Sequence, residues 1–183
     1  VLDEADRMLD MGFEEDLIKI HAHFSDNLQM VLFSATLFPE IKKMAKRYAD
    51  NYEEIIVGNP ASVASSVEHI VVKMKPDEKF AALKYLIRGN PGKTIVFFNT
   101  INETTKVAQK LNRQGFPNVD YIHSKVDQPG REAIINDFRE EKIEVLLASD
   151  VAARGIDIPN VEMVVNYDIP NNSEDYIHRV GRT

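Results

Sequence analysis

The sequence predicts an α/β fold built on doubly wound parallel sheets. Three observations carry that expectation. Short runs that are apolar on both faces recur along the chain, as buried parallel strands do. Amphipathic helical patterns fall between them, at the spacing of strand–helix alternation. Polar residues then follow the apolar runs, where ligands bind in open parallel sheets, outside the carboxyl ends of the strands.

Taken in order, Val1-Leu2 reads as the end of a buried strand and is followed at once by Asp3-Glu4. Strands are then expected at MVLFS (30–34), EIIV (54–57), VEHIVVKM (67–74), TIVFF (94–98), VDYIH (119–123), EVLLAS (144–149) and EMVVNYD (162–168). In the helical stretch after Thr100, Val107, Ala108 and Leu111 share one face, and Gly115 is placed to end the helix. In the next, Pro129 suits a first turn and Ile134 pairs with Phe138 at i,i+4. The stretch GNPASVASS (58–66) is small, polar and holds a proline, so it reads as a linker. The expected organisation is the C-terminal part of one α/β domain over 1–58, a linker over 59–66, and most of a second α/β domain over 67–183.

Composition narrows the class. The 183 residues are 44 % apolar and 28 % charged, the balance of a soluble globular protein. No apolar run approaches the roughly 18 residues of a membrane span, so no membrane association is expected. There is no cysteine, hence no disulfide framework and no thiolate metal site. The net charge of −7 would repel nucleic acid in bulk, so any such binding must use a local surface of cations or backbone amides.

An apolar strand ending in Asp-Glu suits a nucleotide hydrolase: the Asp can hold Mg²⁺, directly or through water, and the Glu can polarise an attacking water. The same two residues also favour a helix N-terminus, where they meet the positive end of its dipole. Ser34 and Thr36 could cap the helix that begins near Pro39. Arg179 and Arg182 could be ordinary last-turn helix charges. His21 and His23 are two apart on a helix and do not face each other, which argues against a metal site. GNPGKT (89–94) imitates a phosphate loop, but its glycines are too close and it opens a strand rather than a helix, so it reads as a turn.

The ordered set of motifs resembles the DEAD-box RNA helicases of superfamily 2 over essentially the whole chain. The set comprises Asp3-Glu4-Ala5-Asp6, Ser34-Ala35-Thr36, IVFFNT ending at Thr100, Gln128-Pro129-Gly130-Arg131, SDVAARGIDIPNV from Ser149, VVNYDIP, and His178-Arg179-Val180-Gly181-Arg182. The two ends look most like the Vasa and p68-like branch. The resemblance implies two RecA-like domains, ATP and Mg²⁺ as ligands, and RNA as a partner, single-stranded or in short duplexes, gripped mainly through its phosphates. It implies an intracellular protein, cytoplasmic or nuclear, and leaves protein regulators unassigned.

It also implies roles. Asp3 binds Mg²⁺ through water, Glu4 is the general base, and Arg182 is an arginine finger on the γ-phosphate. Asp157 and Gly155 contact the nucleotide. Asp6, Ser34, Thr36, His178 and Arg179 couple the domains, and Thr100, Gln128, Arg131 and Ser149 contact RNA. Ser149 stands where threonine is usual, and His123-Ser124-Lys125 departs from a more common His-Gly-Asp. Two alternatives are a non-catalytic RNA- or protein-binding module and a DNA-directed superfamily 2 helicase. The parent protein is expected to be an enzyme. The 183-residue chain alone is expected to be inactive, because it contains no phosphate loop.

Overall fold

The computed structural model describes residues 1–183 apart from Met11, 25–27, Thr36, Phe38, Asp50, 58–66, Pro91, Pro117 and 151–160, and apart from the side chains of Asp10 and Glu174. The chain forms two compact units, Val1–Ser62 and Val63–Thr183. The expected linker, 59–66, lies outside the described residues.

In the second unit, four apolar runs pair into one all-parallel sheet of order β2-β3-β1-β4, formed by β1 (Thr94–Phe98), β2 (Val119–Ile122), β3 (Val145–Ser149) and β4 (Met163–Asn166). The central strands β1 and β3 are buried along their whole length. Their residues alternate between two cores. Ile95, Phe97, Leu146 and Ala148 pack with Ile135 and Phe138 of a helix at Gln128–Arg139. Val96, Phe98, Val145 and Leu147 pack on the other side with Leu83, Val107, Ala108 and Leu111. These come from helices at Lys79–Gly89 and Ile101–Arg113. Helices therefore cover both faces, which is the doubly wound arrangement.

Numbered in chain order, the helices are α1 (Ala5–Asp10), α2 (Glu14–His21), α3 (Pro39–Tyr48), α4 (Lys79–Gly89), α5 (Ile101–Arg113), α6 (Gln128–Arg139) and α7 (Ser173–Val180). Helix α5 stops where the sequence provides for it. Gly115 takes φ +81°, and the Phe116 N–H reaches back 3.3 Å to the Leu111 carbonyl while its ring joins the core. Gly92 to Thr94 lead into β1, with Asn90 Nδ2 donating to the Gly92 carbonyl and to Thr94 Oγ1, so the Gly-Lys-Thr triplet is a turn before a strand.

In the first unit, α1, α2 and α3 surround a small core of Ala5, Leu17, Ile41 and Met44. Three expected strands are not formed. The run 30–34 contributes one parallel bridge, Leu2 to Leu32. The run 54–57 has no strand partner among the described residues and leaves Val57 91 % exposed. The run 67–74, in the second unit, is likewise unpaired, with Val71 90 % exposed. A β-prone sequence supplies half of a ladder, and strand structure needs the other half.

Candidate functional site

The first unit brings its acids to one end of the Leu2–Leu32 bridge. The Leu2 N–H donates to Val31 O and the Phe33 N–H to Leu2 O, both at 2.8 Å, and the Ala5 N–H donates to Phe33 O at 3.0 Å. Asp3, Glu4, Asp6 and Ser34 are thereby gathered where the paired segments end. Glu4 sits at φ +51°, a left-handed conformation that costs an L-residue about 1–2 kcal/mol. Such strain in a non-glycine residue clusters at functional sites. The Glu4 carboxylate accepts from Arg7 Nη1 at 3.2 Å, and the Asp3 carboxylate accepts the Glu4 N–H at 2.9 Å. Asp6 is buried and accepts the Arg7 N–H at 3.0 Å. An open depression of about 210 Å³ is lined by Asp3, Glu4, Arg7, Met8 and Phe13.

Among the described residues no three His, Asp or Glu side chains cluster as a complete cation cage. Mg²⁺ keeps several waters and is held by one or two carboxylates together with substrate phosphates. Asp3, in the mouth of the depression, fits the protein's share of such a site.

In the second unit, every strand of the parallel sheet ends at the same edge, and the N-termini of α5 and α6 meet that edge. Thr100 caps α5, its Oγ1 accepting the Glu103 N–H at 3.2 Å. Asp127 caps α6, accepting the Gly130 N–H at 3.1 Å. A Cβ on Gly130 would lie 2.7 Å from that same Asp127 oxygen, so a side chain there would push the capping carboxylate aside. Gln128 and Arg131 stand in the first turn of α6, with Gln128 Nε2 donating to Glu132 Oε1 at 2.8 Å. Ser149 ends β3 opposite Phe98, and its Oγ is buried without a hydrogen-bond partner among the described residues. A buried hydroxyl without a partner costs about 1–3 kcal/mol, which a ligand at this edge could recover. Thr100, Gln128, Arg131 and Ser149 thus share one edge.

Arg179, on α7, reaches the ends of the sheet strands. It is 1 % exposed, and all five of its N–H donors are used inside the second unit. Nε and Nη2 donate to the two Asp150 oxygens at 2.6 and 2.7 Å. The remaining hydrogens reach Asn99 Oδ1 at 2.7 Å, Asn166 Oδ1 at 3.0 Å and the Asp168 carbonyl at 2.7 Å. Every donor of Arg179 is thus committed to the strand ends of the second unit, where the side chain clamps the sheet edge. Asp168 extends the network, its carboxylate accepting from Lys79 Nζ at 2.9 Å and from the Asn99 N–H at 3.2 Å. The Lys79 ammonium also lies 4.5 Å from the Tyr167 ring centroid. Burial first, then the nearby Glu103 and Asp168 charges, pushes the Tyr167 phenol above its ordinary range and keeps it neutral beneath the ammonium.

His178 and Arg182 lie at the end of α7, and Arg182 Nε donates to the His178 carbonyl at 3.2 Å. Thr36, Gly155 and Asp157 lie outside the described residues. Sequence reasoning assigned no role to Arg7, Lys79, Asn99, Asp150, Asn166 or Asp168. Asn99 and Asp150 nonetheless stand, like Thr100 and Ser149, among the polar residues that follow an apolar run, and Asn166 and Asp168 end or follow another.

The chain matches the family model of the helicase conserved C-terminal domain over residues 78–183 and that of the DEAD/DEAH box helicase over residues 1–45. It belongs to the DEAD-box helicase family. It is 40 % identical to the ATP-dependent RNA helicase DbpA of Bacillus subtilis, with all of this chain and 38 % of DbpA covered. It is 38 % identical to the probable ATP-dependent RNA helicase DDX17 of Homo sapiens, a member of the p68 branch, covering all of this chain and 26 % of the relative. In structure it resembles Saccharomyces cerevisiae Dbp5 bound to RNA and ADP BeF3, with a TM-score of 0.88, 34 % identity, and coverage of all of this chain and 49 % of Dbp5. The chain therefore spans well under half the length of these curated relatives. The neighbours are RecA-like helicase domains, so the doubly wound architecture is that of the family.

Proposed function

We propose that the protein carrying this chain is an ATP-dependent RNA helicase that uses hydrolysis to open short RNA duplexes or to remodel RNA–protein complexes. The observation that carries the reading is Glu4, strained and held beside Asp3 at the end of a bridged strand, in the stretch that matches the DEAD/DEAH box. Asp3 would hold Mg²⁺, which when bound would neutralise phosphate charge. Glu4 accepts the proton of the attacking water. The open carboxylate, tied among the described residues to Arg7, has the access such a base needs. In the second unit, Gly155 and Asp157 contact the nucleotide, Arg182 meets the charge that develops on the γ-phosphate, and Thr100, Gln128, Arg131 and Ser149 hold RNA phosphates. Hydroxyls, capped helix N-termini and one guanidinium grip a backbone without reading its bases. Asp6, Ser34, Thr36 and His178 transmit hydrolysis to the RNA-binding domain. The domain limits that go with this reading are 1–58 and 67–183, with 59–66 as linker, and an intracellular setting, cytoplasmic or nuclear, goes with it too. Among the described residues no helix is long and apolar enough to cross a membrane.

The test compares ATP turnover by the full-length protein with no nucleic acid, with RNA and with single-stranded DNA. Stimulation by RNA alone is expected. Equal stimulation by DNA would favour a DNA-directed helicase, and no turnover would favour a binding module. In the same assay, Ser34→Ala with Thr36→Ala should spare hydrolysis and impair unwinding. Equal loss of both activities would remove these hydroxyls from coupling.

A further inference from the structure

Thr100, Ser149 and Arg182 are separate in sequence, yet each is tied to one buried guanidinium. Asn99, which accepts from Arg179, immediately precedes Thr100, the cap of α5. Asp150, which takes both ends of the fork, immediately follows Ser149. Arg182 lies three residues beyond Arg179, and its Nε is held by the carbonyl of His178, the residue just before Arg179. The acceptors come from the ends of β1, β3 and β4, so a single side chain sets the relative positions of three strand ends and α7. A planar fork with five fixed donors can do this, while a lysine ammonium, with three rotatable ones, cannot. A buried pair of this kind specifies geometry more than it adds stability.

We propose that Arg179, with Asn99, Asp150, Asn166 and Asp168, is a positioning clamp that holds the RNA-contacting residues Thr100 and Ser149 and the nucleotide-facing Arg182 in one rigid frame. The clamp rests on the RNA-helicase reading of those three residues. It differs from it in assigning Arg179 no contact with either ligand: its donors are already spent, and its plane lies over the Phe97 ring at 5.2 Å. Ligand binding on one side of the frame is then sensed on the other through strand ends that cannot move separately.

The clamp is tested in the full-length protein with Arg179→Gln and Asn166→Ala, and with Arg131→Ala as the comparator for a direct phosphate contact. Affinity for a fluorescent ten-nucleotide oligouridine is read by anisotropy across a salt series, well below the melting temperature of each variant, and kcat and KM for ATP are read alongside. Arg179→Gln should weaken RNA binding roughly tenfold, the scale of loss when a supporting residue lets a binding group shift by a fraction of an ångström. Asn166→Ala should give a smaller loss, and both variants should lower kcat for ATP. The slope of log Kd against log salt should stay that of the unaltered protein, whereas Arg131→Ala should reduce it by about 0.7. If Arg179→Gln does not fold, Asn166→Ala carries the test, since it removes one acceptor and no charge. A slope reduced by about 0.7 in Arg179→Gln would make Arg179 a phosphate ligand and overturn the clamp. Variants that melt earlier but bind RNA and turn over ATP normally would reduce it to a structural tie. Absence of RNA binding by the unaltered protein would remove the reading beneath the proposal, and the proposal with it.

Discussion

Each unit carries an acid paired with an arginine, in opposite settings. Glu4 and Arg7 share one contact at 3.2 Å, with 38 % of the Glu4 side chain open to solvent and its backbone strained. Arg179 and Asp150 share a two-point contact at 2.6 and 2.7 Å, and every remaining arginine donor is satisfied. The first arrangement leaves a carboxylate free to meet water. The second leaves nothing free and fixes three strand ends. A reactive acid and a structural one can be told apart by how far each carboxylate is left open to solvent.

The largest test of that contrast is Asp150→Ala. Leaving the buried Arg179 guanidinium without its carboxylate should cost the second unit about 3–5 kcal/mol, read as a lower urea midpoint in the full-length protein. A loss under about 1 kcal/mol would show the pair to be no more than a surface salt bridge. Next in size is Glu4→Gly, which relieves the positive φ and should raise stability by about 1 kcal/mol while abolishing turnover. Reduced stability would mean that Glu4 is not strained there. Smallest is Arg7→Lys, which keeps a cation beside Glu4 in a half-buried contact and should cost about 1 kcal/mol at most, read as a small drop in melting temperature.

Much of the second unit was legible because its signals were redundant. Thr94–Phe98 and Val145–Ser149 are apolar on both faces and are central strands with a neighbour on each side. The helix of Val107, Ala108 and Leu111 buries all three and turns off at Gly115. The runs 54–57 and 67–74 look no different in sequence but have no paired neighbour among the described residues, a property that no local window contains. The acid pair was legible as a motif, whereas the left-handed backbone of Glu4 was not, since nothing but glycine advertises positive φ. Arg179 was legible as a site residue through its motif. Its set of partners was not, because the acceptors at Asn99, Asp150, Asn166 and Asp168 converge only when the strands align.

The most direct measurement is steady-state ATP turnover with saturating RNA for the full-length protein and its Glu4→Gln variant, with ATP affinity measured in parallel. Glutamine keeps the shape and the Arg7 contact but cannot take a proton. Turnover should fall by about 10²–10⁴-fold while ATP and RNA still bind. Turnover within a fewfold of the unaltered protein would contradict the assignment of Glu4 as the base, and with it the placement of hydrolysis at the end of the Leu2–Leu32 bridge.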